Sequence, residues 1–129
     1  MTVNSPASLI AIPGASTYSA ARWALRGFTE SLKIDLRKTG IKVCHCVFGE
    51  VSSNYFQANP ASKERIPGIA SKMMRPLTPG EAANIIVTAI EKNKSEVTAP
   101  LMMAFYRYCL AVSPWSVKAL VKATGWQRK

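Results

Sequence analysis

Three side chains near the start of the sequence are of types that could together move a proton: Ser5, Tyr18 and Arg22. Tyr18 and Arg22 are four residues apart, so on a helix they lie one turn apart on the same face. A guanidinium beside a phenol stabilises the phenolate and lowers its pKa from about 10. This predicts that Tyr18 donates or accepts a proton near neutral pH, while the Ser5 hydroxyl binds the same substrate oxygen. The alternative is an ordinary Tyr and Arg on the margin of an amphipathic helix, with Ser5 in a loop.

The element that would carry Tyr18 and Arg22 is an amphipathic helix. Apolar residues recur at intervals of three and four from Ser16 onward, which predicts a helix through Lys38 that ends at Gly40. Ser16 or Thr17 is the expected N-terminal cap.

At these positions the sequence resembles the short-chain dehydrogenase/reductase family, in its carboxyl-terminal half. The family signature is a Ser, a Tyr thirteen residues later and a Lys four residues after that, and Ser5 and Tyr18 match it in type and spacing. The Pro13-Gly14 pair and the helix from Ala24 to Leu32 are also typical. The likeness continues through the segment 41–47 to Pro100.

The resemblance implies an α/β fold, a partial Rossmann-like doubly wound parallel sheet from which the nucleotide-binding half is missing. It also implies an NAD(P)-dependent oxidoreductase that acts on a carbonyl or secondary alcohol, with NAD or NADP as cofactor. Tyr18 would be the acid/base, Ser5 would orient the carbonyl, and Arg22 would replace the family's Lys. Because the Arg guanidinium is planar and larger than an ammonium, Arg22 is expected to lower the pKa of Tyr18 but to bind the cofactor ribose poorly.

A second part of the resemblance follows a predicted buried strand, Ile41 to Val47. The family has Pro-Gly-x-Val-x-Thr after this strand, and its backbone and hydroxyl contact the cofactor. Gly49, Val51 and Ser53 match that pattern, with Ser in place of Thr. The loop at the carboxyl end of a parallel strand is also where doubly wound sheets bind ligands. A plain turn after the strand is the alternative.

The three cysteines, Cys44, Cys46 and Cys109, are too few for a disulfide framework. On the predicted strand Cys44 and Cys46 face one side and His45 the other. This arrangement favours buried thiols over a metal site, so we expect none, and reduced thiols suit an intracellular location, cytoplasmic or on the cytoplasmic face of a membrane.

The chain carries 17 Lys and Arg against 7 Asp and Glu, a net charge of +10. Its basic residues are scattered and lack the aromatic strands or zinc spacing of nucleic-acid modules, so we expect no nucleic-acid partner. Faces like that of the helix from Ser16 to Lys38 often form dimer interfaces in the family, which predicts a homo-oligomer.

Residues 1–101 are expected to form the Rossmann part, with a lid over residues 54–76. The lid has no clean period, and its apolar residues favour a lipophilic carbonyl or alcohol substrate, although core filling explains them equally well: Tyr55, Phe56, Ile69, Met73 and Met74. A capping box of Thr78 and Glu81 then begins a helix, and Val97 to Leu101 is the last strand.

Residues 102–129 form an apolar and basic tail that is predicted to be helical. Its apolar run is too short before Pro114 and too interrupted after it to span a bilayer. Trp beside Lys suits peripheral contact with a membrane surface. The competing reading is a helix pair that covers the sheet or a partner subunit.

Two complete strands and part of a third cannot cover a parallel sheet, and the sequence has no glycine-rich phosphate turn. We therefore expect the chain to be the carboxyl half of a larger reductase and to show no measurable cofactor affinity by itself. The alternative function is a non-catalytic fragment that binds a partner protein or a membrane surface.

Overall fold

The computed structural model describes residues 1–127. It contains three strands, a 3₁₀ turn at Pro6–Ser8 and seven helices within that range. In chain order they are β1 (Thr2–Asn4), α1 (Ser16–Asp35), β2 (His45–Phe48), α2 (Tyr55–Ala58), α3 (Pro60–Lys63), α4 (Gly68–Met73), α5 (Pro79–Glu91), β3 (Glu96–Ala99), α6 (Leu101–Val112) and α7 (Pro114–Thr124). Arg128 and Lys129, the last residues of the predicted tail, lie outside the described residues.

The strands form one parallel sheet in the order β1-β2-β3, in which Thr2 pairs with His45 and His45 pairs with Glu96. All four residues of β2 are buried because helices cover both faces of the sheet. This confirms the predicted fold class, an α/β protein with a partial Rossmann-like parallel sheet. The central strand is shorter than expected: it begins at His45, since Ile41 is 58% exposed and outside the ladder.

The two faces of the sheet differ in chemistry. On one face the thiols of Cys44 and Cys46 lie 3.7 Å apart among apolar side chains of α5, including Ala89. On the other face His45 is fully buried, and the neighbouring Val47 packs against Met103 of α6. The predicted separation of thiols and imidazole across β2 is therefore confirmed, as the alternation of a strand requires.

Helix α1 ends at Asp35 rather than at Lys38, and the expected cap at Ser16 or Thr17 is wrong. Ala15 is the N-cap, and its side chain has no hydroxyl. The Ile12 amide instead donates to the Ser19 hydroxyl, one turn inside the helix, at 3.2 Å. The preceding loop is thus bonded to the helix through a buried serine. The capping box of Thr78 and Glu81 at the start of α5 is confirmed.

The tail forms a pair of helices, and its end returns to the loop before α1. Val117 and Val121 of α7 pack on Ile10, while α6 covers the end of the sheet. Gly14 has a φ of +75°, and a Cβ at this position would lie 2.7 Å from the Trp126 ring. Only glycine fits this turn. Across residues 1–127, none of the helices is both long enough and apolar enough to cross a membrane.

Candidate functional site

The predicted site residues lie at the carboxyl edge of the sheet. Ser5 directly follows β1, Gly49 directly follows β2, and Asn4 pairs with Val47 in the neighbouring strand. Helix α1 starts at this same edge, and Tyr18 lies in its first turn. Carboxyl ends of parallel strands are where open α/β sheets hold ligands.

Tyr18 and Arg22 are in contact, as the four-residue spacing predicts. The guanidinium carbon lies 4.8 Å from the centre of the Tyr18 ring, so the cation rests on the face of the phenol. The Tyr18 side chain remains 38% exposed and accessible to a ligand. The Nε of Arg22 is buried and has no hydrogen-bond partner among residues 1–127. One N–H group of this guanidinium is therefore left without a partner inside the described structure.

Ser5 begins the 3₁₀ turn that leads away from β1. Its hydroxyl accepts a hydrogen bond from the Ala7 amide at 3.1 Å, so the hydroxyl hydrogen stays available for another acceptor. The turn is bonded to α1 because Arg26 donates to the Ser8 carbonyl at 3.2 Å.

Asn4 joins the two parts of the site, and sequence reasoning missed it. Its Oδ1 accepts from the Ser5 amide at 2.9 Å, and its Nδ2 donates to the Arg22 carbonyl at 3.0 Å. One buried amide thus fixes both the backbone of Ser5 and the turn of α1 that carries Arg22. The only sequence signal was a polar residue directly before Ser5.

His45 is the third partner of Asn4. Because the Asn4 amide is oriented by its other two bonds, its Nδ2 donates to Nε2 of His45 at 3.1 Å, which places the imidazole proton on Nδ1. Nδ1 lies 3.8 Å from a carboxylate oxygen of Glu96, which is itself paired with Arg107. Burial lowers the pKa of His45 below its usual range. A neutral, buried imidazole therefore supports Asn4 from below the site.

The loop after β2 places the matched residues 49, 51 and 53 differently. The Gly49 amide donates to the Ala99 carbonyl at 2.9 Å, which extends the ladder by one residue. Val51 forms a parallel bridge with Leu77, so it is held beside the sheet. Ser53 is exposed, and its hydroxyl accepts from the Tyr55 amide at 3.4 Å. Gly49 and Val51 are thus fixed near the strand end, while Ser53 directly precedes the segment 54–76.

Taken together, these elements define a Rossmann-like α/β protein with a Ser, a Tyr and a cation near the carboxyl edge of its parallel sheet. The sequence profile of short chain dehydrogenases matches residues 1–64. Two curated relatives, both named "Putative oxidoreductase SadH", come from Mycobacterium tuberculosis strains CDC 1551 / Oshkosh and ATCC 25618 / H37Rv. Each is 30% identical over 108 residues, which cover 78% of this chain and 39% of the relative.

The chain belongs to the short-chain dehydrogenase family. It spans about two fifths of the length of the curated relatives that it matches.

Proposed function

We propose that residues 1–129 supply the substrate side of an NAD(P)-dependent oxidoreductase that interconverts a carbonyl and a secondary alcohol. The observation that carries the proposal is the Asn4 amide, which holds the Ser5 backbone and the Arg22 turn through bonds of 2.9 and 3.0 Å. A side chain that fixes both halves of a proton-transfer pair at a ligand-facing edge supports chemistry there.

In this proposal Tyr18 exchanges a proton with the substrate oxygen, and Ser5 donates a hydrogen bond to the same oxygen. The exposed part of Tyr18 gives the substrate access to the phenol. The guanidinium of Arg22 on the ring face stabilises the negative charge that develops on the phenol oxygen when the proton leaves. The proposal is supported by the position of Ser5 directly after β1 and of Tyr18 and Arg22 in the first two turns of α1.

The donor set of this edge fits a nicotinamide cofactor. The guanidinium of Arg22 beside Tyr18 fits a ribose hydroxyl less well than a compact ammonium would, and the backbone from Gly49 to Val51, fixed at the end of β2, fits the carboxamide. NAD or NADP, when bound, supplies or accepts the hydride. The sequence holds no glycine-rich turn for the diphosphate, so we propose that this part of the cofactor is bound by residues other than these.

We propose a lipophilic substrate because the segment 54–76 presents apolar side chains to solvent. Tyr55 is 52% exposed and Met73 is 50% exposed, and Phe56 packs edge to face against Tyr55 with ring centres 5.2 Å apart. Met74 at the end of this segment reaches the cluster of Leu9 and Val47 below the site. An apolar cover anchored beside the strand ends suits an apolar ligand.

The test is steady-state oxidation of NADH and NADPH with a panel of lipophilic aldehydes and ketones. The protein is assayed in the form in which it is purified from the cells that produce it. Tyr18→Phe should lower kcat by about 100-fold or more, because it removes the proton donor. Tyr108→Phe is the control, since Tyr108 is exposed on α6 and has no role in the proposed site, and it should keep kcat within about twofold. Equal rates for Tyr18→Phe and Tyr108→Phe would exclude the proposed role.

Arg22→Lys gives a second test of the same site. Lys restores the compact ammonium of the family signature, so the variant should lower KM for the cofactor while kcat is retained. A loss of activity equal to that of Tyr18→Phe would show that the guanidinium itself is needed for the chemistry.

A further inference from the structure

The outward face of α6 is an uninterrupted apolar stripe. Four residues at helical spacings of four, three and four lie within one narrow arc, opposite the buried Met103. Their side chains are highly exposed: Leu101 85%, Phe105 57%, Tyr108 66% and Val112 67%. Trp115 follows at the start of α7 and is 75% exposed. We name these five residues the α6 stripe, and no element of residues 1–127 covers it.

Helices α6 and α7 contain basic residues and no acidic ones. The sequence contains no Asp or Glu after Glu96. Arg107 is neutralised by its ion pair with Glu96, while Lys118 and Lys122 are exposed on α7 without an acidic residue on either helix. Trp115, Lys118 and Lys122 are three and four residues apart, so they share one face of α7. Trp115 of the α6 stripe thus shares its helix face with two lysines that no carboxylate on the same helices neutralises.

We propose that the α6 stripe docks on an anionic lipid surface, independently of the function proposed above. Apolar residues and Trp enter the boundary between headgroups and acyl chains, while Lys118 and Lys122 bind the lipid phosphates. The lysines select an anionic surface. A bilayer fits better than an acidic protein groove because the exposed apolar side chains run the whole length of α6, from Leu101 to Val112. Since α6 has 12 residues, it lies in the surface rather than across the membrane.

The experiment is sedimentation of the purified chain with vesicles of phosphatidylcholine alone and of phosphatidylcholine with about a quarter phosphatidylserine. The chain should bind the anionic vesicles at least tenfold more strongly, and binding should weaken as salt is raised. Phe105→Ser should reduce binding about tenfold or more, because it removes an inserted aromatic ring. Ile90→Ser is the matched control: Ile90 is 58% exposed on α5, which covers the opposite face of the sheet, and binding should stay within about twofold.

Substitution of the lysines separates their contribution to vesicle binding from that of the apolar side chains. Lys118→Gln with Lys122→Gln should lower binding to anionic vesicles about fivefold per lysine and should remove most of the salt dependence. Lys92→Gln with Lys94→Gln, exposed residues after α5, should leave both unchanged.

A depth test reports the orientation. In a variant whose only Trp is Trp115, fluorescence should shift to the blue on anionic vesicles and be quenched by brominated lipids. In the matched variant that keeps only Trp23, it should not change.

Three results would overturn the proposal. The first is no binding of the wild-type chain to anionic vesicles. The second is equal vesicle binding by Phe105→Ser and Ile90→Ser. The third is a dimer by light scattering that Phe105→Ser converts to a monomer while neither form binds vesicles, which would make a second copy of the chain the occupant of the stripe.

Discussion

Replacing Asn4 by Ala tests whether one buried amide holds the candidate site together. Asn4 is 3% exposed and makes three hydrogen bonds, to Ser5, Arg22 and His45. Ser5 and Arg22 are half-buried, so water can replace part of what they lose, at about 1 kcal/mol each. Nε2 of His45 is fully buried and would lose its partner, which costs about 1 to 3 kcal/mol. The variant should therefore lose about 3 to 5 kcal/mol of unfolding free energy.

The assay is urea unfolding followed by far-ultraviolet circular dichroism at pH 7.5. With an m value of about 2 kcal/mol per M, the midpoint should fall by about 2 M. Asn84→Ala, at an exposed position of α5, is the matched control and should change the unfolding free energy by less than about 0.5 kcal/mol.

Asn4→Asp provides a second variant with a distinct signature. Aspartate keeps an acceptor for the Ser5 amide but places a carboxylate beside Nε2 of His45, which favours the protonated imidazole. This variant should therefore lose less stability at pH 5.5 than at pH 7.5. The reasoning is refuted if Asn4→Ala destabilises the protein no more than Asn84→Ala does, because the three hydrogen bonds of the Asn4 amide would then contribute little to stability.

Three further predictions follow from burial and backbone geometry. Because burial lowers the pKa of His45 below its ordinary 6.5, the unfolded chain binds the proton more readily. Unfolding free energy should hold above pH 6.5 and fall as the pH drops below it, and His45→Gln should flatten this dependence. Burial raises the pKa of Cys46 to about 12. A thiol reagent at pH 8 should therefore label the half-buried Cys109 first and Cys46 only when the protein unfolds. Early labelling of Cys46 would contradict its burial. Gly14→Ala should lower the unfolding free energy by about 1 to 2 kcal/mol, because Gly14 has a φ of +75° and an indole ring lies beside it. Gly27→Ala, with open space around it in α1, should raise the unfolding free energy by about 0.5 to 1 kcal/mol. Equal effects of the two substitutions in urea unfolding would argue against the described turn.

Local patterns predicted the parts of the fold that depend on neighbours in sequence. The four-residue spacing placed the Arg22 cation on the Tyr18 ring, and strand alternation separated Cys46 from His45. The capping box could be predicted from the sequence because its two partners, Thr78 and Glu81, lie within one helical turn. In each case the cause is the fixed period of a helix or a strand.

The missed features join residues that are distant in sequence. Asn4 and His45 are 41 residues apart and meet only because β1 and β2 run parallel in a particular register. Gly14 and Trp126 come together through the docking of the final helix, which no local period reports. The predicted cap of α1 was wrong because the helix already includes Ser16, so Ala15 occupies the N-cap position. Parallel pairing and tertiary docking therefore set the limit of what the sequence alone predicts.

The most direct test of the proposed oxidoreductase function is transfer of deuterium from NADH and NADPH labelled at C4 of the nicotinamide. The protein is incubated with the labelled cofactors and lipophilic aldehydes or ketones, and the alcohols are analysed by mass spectrometry. We predict deuterium on the carbinol carbon with the wild-type protein, and about 100-fold less with Tyr18→Phe. Product alcohols without deuterium would contradict hydride transfer from the cofactor. Equal label with Tyr18→Phe and with the Tyr108→Phe control would contradict the assignment of Tyr18 as the proton donor.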